Sequence, residues 1–218
     1  MIKIENIVTP SPEQWRTIIL GLRNPKNSWD RSDSKFNTDM FELAICENDY
    51  KLMTALRDAG TDHRKFMRMI TVYLDVTAPL YWWKEFDTYK VGTVANSCST
   101  MHKIHDKEFT LDDFSIEKTG YDGHALIEDI IGHLNFYRER YNKGEDWNGM
   151  NKKDFWFEMI QLLPSSYNQK RTVMLNYEVL ANMYKSRKSH KLDEWRCFCE
   201  WIKELPYSEL IIGREEKA

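Results

Sequence analysis

Apolar positions recur with two different periods along this 218-residue chain, and the two periods predict different elements. MIKIENIV at the start reads as a short strand. Ser11-Pro12-Glu13-Gln14 has the order of a helix start, with a Ser cap, Pro in the first turn and Gln three residues on. Trp15, Ile18, Ile19 and Leu22 then repeat at helical spacing. Residues 23 to 37 have no period and read as a polar loop. Thr38 is expected to cap a short helix running through Glu47. DYKLMTALRDAG reads as a further helix that ends at Gly60. In residues 66 to 76 the period changes to two, and Ile70, Val72, Leu74 and Val76 share one face of a strand. Thr77-Ala78-Pro79 starts a helix carrying Trp82, Phe86 and Tyr89. Residues 124 to 141 form a strongly amphipathic helix, and 142 to 151 a Gly/Asn linker. DFWFEMIQLL is a helix stopped by Pro164, a long helix is expected over about 172 to 190, and DEWRCFCEWIKEL is the last one. The pattern predicts an α+β fold: a small antiparallel sheet packed with several long helices, in a single domain over 1–218.

Composition narrows the class. With 42% hydrophobic residues and 8 Trp, 11 Tyr and 10 Phe, the chain can bury a large core, which excludes disorder. A net charge of −3 argues against a general nucleic-acid binder. No apolar run reaches membrane-span length and MIKIENIV lacks the apolar core of a leader, so a cytoplasmic protein without a membrane partner is expected. The four cysteines are scattered and fit reduced thiols. His102 and His105 flank a Lys, but no Cys or carboxylate completes a metal set at ligand spacing, so no metal is expected.

One stretch stands out from this background. KEFDTYKVGTVANSCSTMH, residues 84 to 102, carries Thr88, Thr93, Asn96, Ser97, Ser99 and Thr100 with one glycine, Gly92, between lysines. It follows a helix that follows a buried strand, a rigid place from which to present polar groups.

Together with His63, Ala78-Pro79 and the segment Asn27-Ser28-Trp29-Asp30, this stretch resembles the flavin-dependent thymidylate synthases. LPSSYNQKRTVMLNYEVLANMYKSRKSHKLDEW is similar to the family's C-terminal helix region, with Asn176, Asn182 and Arg187 at the family's separations of six and five residues. The resemblance runs in order from residue 28 to about 205. It departs from the family where arginines are expected: Thr88-Tyr89-Lys90 stands for Arg-His-Arg, Met101-His102 for Arg-Tyr, Ile160 for an Arg before Leu-Pro, and Glu178 for a flavin-contacting Arg.

The resemblance implies FAD- and folate-dependent methylation of a pyrimidine deoxynucleotide (dUMP to dTMP), or a closely related one-carbon transfer. NADPH and methylenetetrahydrofolate are the implied co-substrates and a homotetramer the implied assembly. Its site residues would be Ser28, His63, Thr88, Tyr89, Lys90, Thr93, Asn96, Asn176 and Asn182 toward the cofactor. Glu85, Ser97, Ser99 and Arg187 would face the nucleotide, with Arg187 the catalytic candidate. The missing arginines leave an alternative, a catalytically inactive or altered-specificity nucleotide-binding protein on the same fold.

The residue chemistry is compatible with these roles. A guanidinium offers phosphate a fork of N–H donors at every pH, whereas Lys90 offers one point charge. Glu85 would repel a phosphate but accept from an exocyclic amine. Each residue also has a plainer reading: a solvated helix face for Arg187, a helix C-terminal Lys for Lys90, and backbone-capping side chains for Thr93, Asn96 and Ser99.

Overall fold

The computed structural model describes residues 1–37 and 42–213. The strands are β1 (Lys3–Val8), β2 (Lys35–Asn37), β3 (Glu42–Ala44), β4 (Thr71–Pro79), β5 (Val94–Ser97) and β6 (Asn168–Asn176). The helices are α1 (Pro12–Arg23), α2 (Glu47–Asp58), α3 (Leu80–Phe86), α4 (Tyr121–Lys143), α5 (Lys152–Leu162), α6 (Tyr177–Arg187), α7 (Asp193–Lys203) and α8 (Glu209–Ile212). A small four-stranded sheet has the order β1-β4-β6-β5, and β2 pairs antiparallel with β3. The α+β expectation with a small antiparallel sheet holds.

Local chemistry explains most of these elements. Ser11 accepts from the Gln14 N–H at 3.3 Å, and the Gln14 side chain accepts from the Ser11 N–H at 2.8 Å, closing the capping box that starts α1. Trp15, Ile18, Ile19 and Leu22 are all buried, as their spacing requires. Ile70, Val72, Leu74 and Val76 are buried too, so the period-two face of β4 is real. Asn151 caps α5, and Pro164 lies just beyond its end.

Four expectations need correction. Thr38 lies outside the described residues, and Glu42–Ala44 of the helix expected through Glu47 is strand β3. The loop read over residues 23 to 37 holds two short 3-10 turns and strand β2. The helix expected from about 172 starts at Tyr177, because Asn168–Asn176 is strand β6. Thr172 is exposed and Met174 half-buried while Val173 and Leu175 are buried, so burial there alternates with period two. Finally, Val94–Ser97, inside the polar stretch, is strand β5 at the sheet edge. Its four residues are all exposed, so pairing rather than a buried face makes it a strand.

The chain divides into two compact units, both discontinuous in sequence. The first comprises Met1–Lys3, Val76–Thr88 and Asn96–Arg171. Its core includes Phe109, Phe114, Leu134 and Met159, with α4 against α5, and a second cluster where Trp82, Trp83 and Phe86 meet at 4.9–5.1 Å. The Trp83 indole N–H donates to the Gln169 carbonyl at 2.9 Å. The second unit comprises Ile4–Asp75, Tyr89–Ala95 and Thr172–Ala218. Its core gathers Trp15, Ile19, Met53, Tyr177, Trp195 and Phe198, all buried. Among the described residues no helix is long and apolar enough to cross a membrane.

Candidate functional site

In the second unit the α6 helix and the loop after Tyr89 are joined by Asn176. This residue is buried and caps α6: its side-chain oxygen accepts from the Val179 N–H at 3.0 Å. Its Nδ2 donates to the Gly92 carbonyl at 3.2 Å. Gly92 adopts φ +81°, and a Cβ there would lie 3.0 Å from Asn176 Nδ2 and 3.2 Å from a Val179 methyl. Only glycine combines that left-handed backbone with so close an approach. Gly92→Ala is therefore expected to cost more than about 1 kcal/mol, read as a lower urea midpoint at unchanged m-value. An unchanged midpoint would show that the loop does not need this contact.

Arg187 ends α6, eleven residues after Asn176, and sits between two aromatic rings. Its guanidinium carbon lies 4.9 Å from the Trp195 centroid and 5.6 Å from that of Tyr89. Its Nε donates to the Tyr89 hydroxyl at 3.0 Å. The Tyr89 ring in turn meets Trp195 edge-on at 6.0 Å. Arg187 is thus a half-buried, oriented guanidinium rather than one on a solvated face. Cys199 is buried beneath this helix region, and its thiol is pushed up to about 12, by burial first and Glu200 second. Burial there disfavours the thiolate.

Glu178 is a buried carboxylate in this unit. Arg68 donates to it through Nε, and through Nη2 at 3.3 Å; Arg64 Nε donates at 3.3 Å. Burial acts to raise the Glu178 carboxyl, but the hydrogen bonds and charges of Arg68 and Arg64 outweigh it and hold it below its ordinary value. Arg64 also donates to Asn182 Oδ1 at 3.4 Å. Beside this cluster lies a cleft of about 250 Å3 lined by Arg57, Arg64, Asn182, Lys185 and Lys188, with no carboxylate in its lining. His63, exposed, stands at the start of the 3-10 turn that carries Arg64 and Arg68.

Ser28 is buried in the same unit. Its carbonyl accepts from Arg23 Nη1 at 3.1 Å, and its hydroxyl is 3.4 Å from that nitrogen. Arg23 in turn is paired to Asp49, so this segment is pinned to α2. Arg23, Lys26, Asn27, Ser28, Asp30 and Arg31 line a cleft of about 550 Å3.

The remaining expected residues make local bonds. The Thr93 hydroxyl donates to the Tyr89 carbonyl at 2.7 Å, and the Lys90 carbonyl accepts from the Thr93 N–H at 3.3 Å. In the first unit the Thr88 hydroxyl donates to the Glu85 carbonyl at 2.7 Å. The Ser99 hydroxyl accepts from the N–H groups of Met101 and His102 at 3.3 and 2.9 Å. Asn96 and Ser97 lie exposed on β5, and Glu85 is half-buried on α3. Ile160 packs against that unit's core. Arg171 pairs with Asp87 at 3.0 Å and lies 4.3 Å over the Trp83 ring. Lys103 pairs with Asp106 at 3.1 Å. Among the described residues no group of three His, Cys, Asp or Glu is close enough to hold a metal.

Sequence reasoning missed Arg57, Arg64, Arg68 and Lys185 as cleft neighbours, while Lys188 stands in the basic run 187–191 that the sequence offers for phosphate. Lys185 and Lys188 follow Asn182 at helical spacing of three, which was legible; the arginines come from distant elements.

No family model matches the chain, and no curated protein sequence matches it. Solved structures do. Thymidylate synthase X (ThyX) of Helicobacter pylori, with FAD and dUMP, matches with a TM-score of 0.66 over 99% of this chain and 98% of that one, at 11% identity. A second structure of flavin-dependent ThyX from Helicobacter pylori, complexed with FAD and dUMP, matches at 0.61 over 98% of each chain, at 13% identity. The chain has the ThyX fold. The match runs over nearly the whole chain, residues of both compact units included.

Proposed function

We propose that this chain binds FAD and a pyrimidine deoxynucleotide and transfers a one-carbon unit to the nucleotide, as a flavin-dependent thymidylate synthase converts dUMP to dTMP. The observation that carries this reading is the carboxylate-free cleft at Arg57, Arg64, Asn182, Lys185 and Lys188, on a fold whose solved examples hold FAD and dUMP. Lys185 and Lys188 would face the diphosphate of a dinucleotide cofactor, beside Arg57 and Arg64, which already pair with Asp58 at 2.6 Å and Glu178 at 3.3 Å. The residues present therefore fit the cofactor, although its charges would come from positions other than the family's. When bound, the flavin would supply the hydride chemistry. The chain's own share is binding and orientation. Arg187 would hold charge on the nucleotide, Tyr89 and Trp195 would keep its guanidinium aimed, and Asn176 with Gly92 would fix the loop beside it. NADPH and methylenetetrahydrofolate would be co-substrates, and a homotetramer the assembly.

The test is the visible absorbance of protein purified after incubation with excess FAD. Retained flavin, followed by release of the C5 hydrogen from dUMP, supports the enzyme. Folded protein that retains no flavin sinks it. One observation favours the second reading, a nucleotide-binding protein without catalysis: the carboxylate of Glu178 occupies Arg64 and Arg68 at a position where the family has a positive charge. Under that reading dUMP or another pyrimidine nucleotide binds without flavin and without turnover.

A further inference from the structure

The first unit has a cleft that the flavin reading does not use. It measures about 540 Å3 and is lined by Met101, His102, Tyr141, Asn151, Lys152, Lys153 and Trp156. That volume is in the range of small-molecule sites, roughly 300–1,000 Å3. Its surface has two distinct chemistries. Trp156, Tyr141 and the Met101 thioether give apolar, polarisable walls suited to a flat ring. Lys152, Lys153 and the His102 imidazole supply donors, and no carboxylate lines the cleft.

The walls are held in place. The Trp156 indole N–H donates to the Met101 carbonyl at 2.7 Å, which fixes the ring against the 101–102 turn. That turn is itself held by the Ser99 hydroxyl. The Tyr141 ring packs on His105 at 4.5 Å, and the Lys152 ammonium stands 4.7 Å over the Tyr141 centroid. Lys153 Nζ lies 5.7 Å from the Phe157 ring, and its backbone N–H is capped by Asn151 at 2.9 Å. Two carboxylates adjoining the lining residues in sequence are committed. Asp154 accepts from the Asn151 N–H at 2.9 Å, and Asp106 pairs with Lys103 and His105, each at 3.1 Å. Lys152 over the Tyr141 ring and Lys153 next to it, with no lining carboxylate to neutralise them, give the cleft a positive rim beside Trp156 and Tyr141.

We infer that this cleft binds a planar aromatic anion, its ring against Trp156 and Tyr141 and its carboxylate or phosphate at Lys152, Lys153 and His102. The lining residues lie outside the flavin and nucleotide set proposed above, but Ser99 of that set holds the 101–102 turn. Competition with dUMP separates the two: displacement of naphthyl phosphate by dUMP would make this cleft part of the nucleotide site and overturn the inference. The anionic group has two chemical sources, a carboxylic acid on a conjugated ring system or a phosphorylated ring compound, and both share this recognition.

Isothermal titration of the full chain with four probes separates the terms: naphthyl phosphate, naphthoate, neutral naphthalenemethanol and inorganic phosphate. Both naphthyl anions are expected to bind at least about ten-fold more tightly than the neutral ring or the bare phosphate. The tighter of the two identifies the source. The double variant K152Q/K153Q changes only exposed positions, so its melting temperature should not move, while affinity for the naphthyl anions falls about ten-fold or more and that for the neutral ring does not. Trp156→Phe, which loses the bond to Met101, should weaken all ring-bearing probes. Inorganic phosphate binding as tightly as naphthyl phosphate would reduce the site to a charge patch and overturn the inference. So would anion affinity unchanged in K152Q/K153Q, or the absence of binding by both naphthyl anions.

Discussion

Replacing Asp49 by Ala is expected to destabilise the second unit by about 3–5 kcal/mol, the cost of leaving one partner of a buried ion pair uncompensated. Asp49 is fully buried at the start of α2 and Arg23 is nearly so at the end of α1. The Asp49 carboxylate accepts from Arg23 Nε at 2.6 Å and from the hydroxyls of Ser32 and Ser34 at 2.8 and 2.6 Å. It also accepts from the backbone N–H groups of Asp33 and Ser34 at 3.2 and 3.0 Å. Removing it strands a guanidinium and releases the 28–34 segment, which holds Ser28 in place. The measurement is chemical denaturation beside Asp49→Asn. The Asn variant keeps an acceptor but not the charge, and should fall between wild type and Ala. A loss below about 1 kcal/mol for Asp49→Ala would mean the pair contributes no more than a surface one.

The same carboxylate predicts a pH dependence. Burial acts to raise Asp49, but the Ser34 and Ser32 hydroxyls and Arg23 outweigh it, so the folded value lies below the ordinary 3.8. A depressed carboxylate contributes stability that is complete above its unfolded value and is lost as pH falls through the folded one. Glu178, held down by Arg68 and Arg64, acts in the same direction. Wild type should therefore lose stability below about pH 4, and Asp49→Ala should show a shallower slope there.

Arg187→Ala is expected to weaken nucleotide binding roughly 10- to 150-fold, the worth of a charge-assisted contact of about 1.5–3 kcal/mol. The side chain is oriented before any ligand arrives, by the Tyr89 hydroxyl and by the faces of Tyr89 and Trp195. Tyr89→Phe keeps one ring under the guanidinium and removes its hydrogen-bond acceptor. Its effect should be smaller and of the same sign, because aim is lost while charge remains. Titration with dUMP, with and without FAD, separates the two proposed readings. A loss seen only with flavin present places Arg187 in the assembled cofactor site. A loss in both conditions makes it a nucleotide ligand outright. Equal binding by wild type and Arg187→Ala would remove Arg187 from the site.

Much of this protein was local, and what was local was legible. The Ser11-Pro12-Gln14 box, the stripe from Trp15 to Leu22, the alternation in β4, the amphipathic α4 and the Pro164 stop each depend on residues within a few turns of one another. The order of Asn176, Asn182 and Arg187 carried the resemblance because all three belong to one helix and its cap. Other features needed the folded chain. TVMLN in β6 has no turn signal to separate it from the helix that follows, and only strand neighbours impose its period of two. β5 has no apolar face at all and exists by pairing. Gly92 and Asn176 meet across 84 positions of sequence, Arg68 and Glu178 across 110, and Arg23 and Asp49 across 26. No periodicity records such encounters. The sequence by itself determined which segments coil and which faces are apolar, because those follow from neighbours a few residues away. Only the tertiary structure decided which charges are spent on each other and which line a cleft, because charge pairing depends on distance in space.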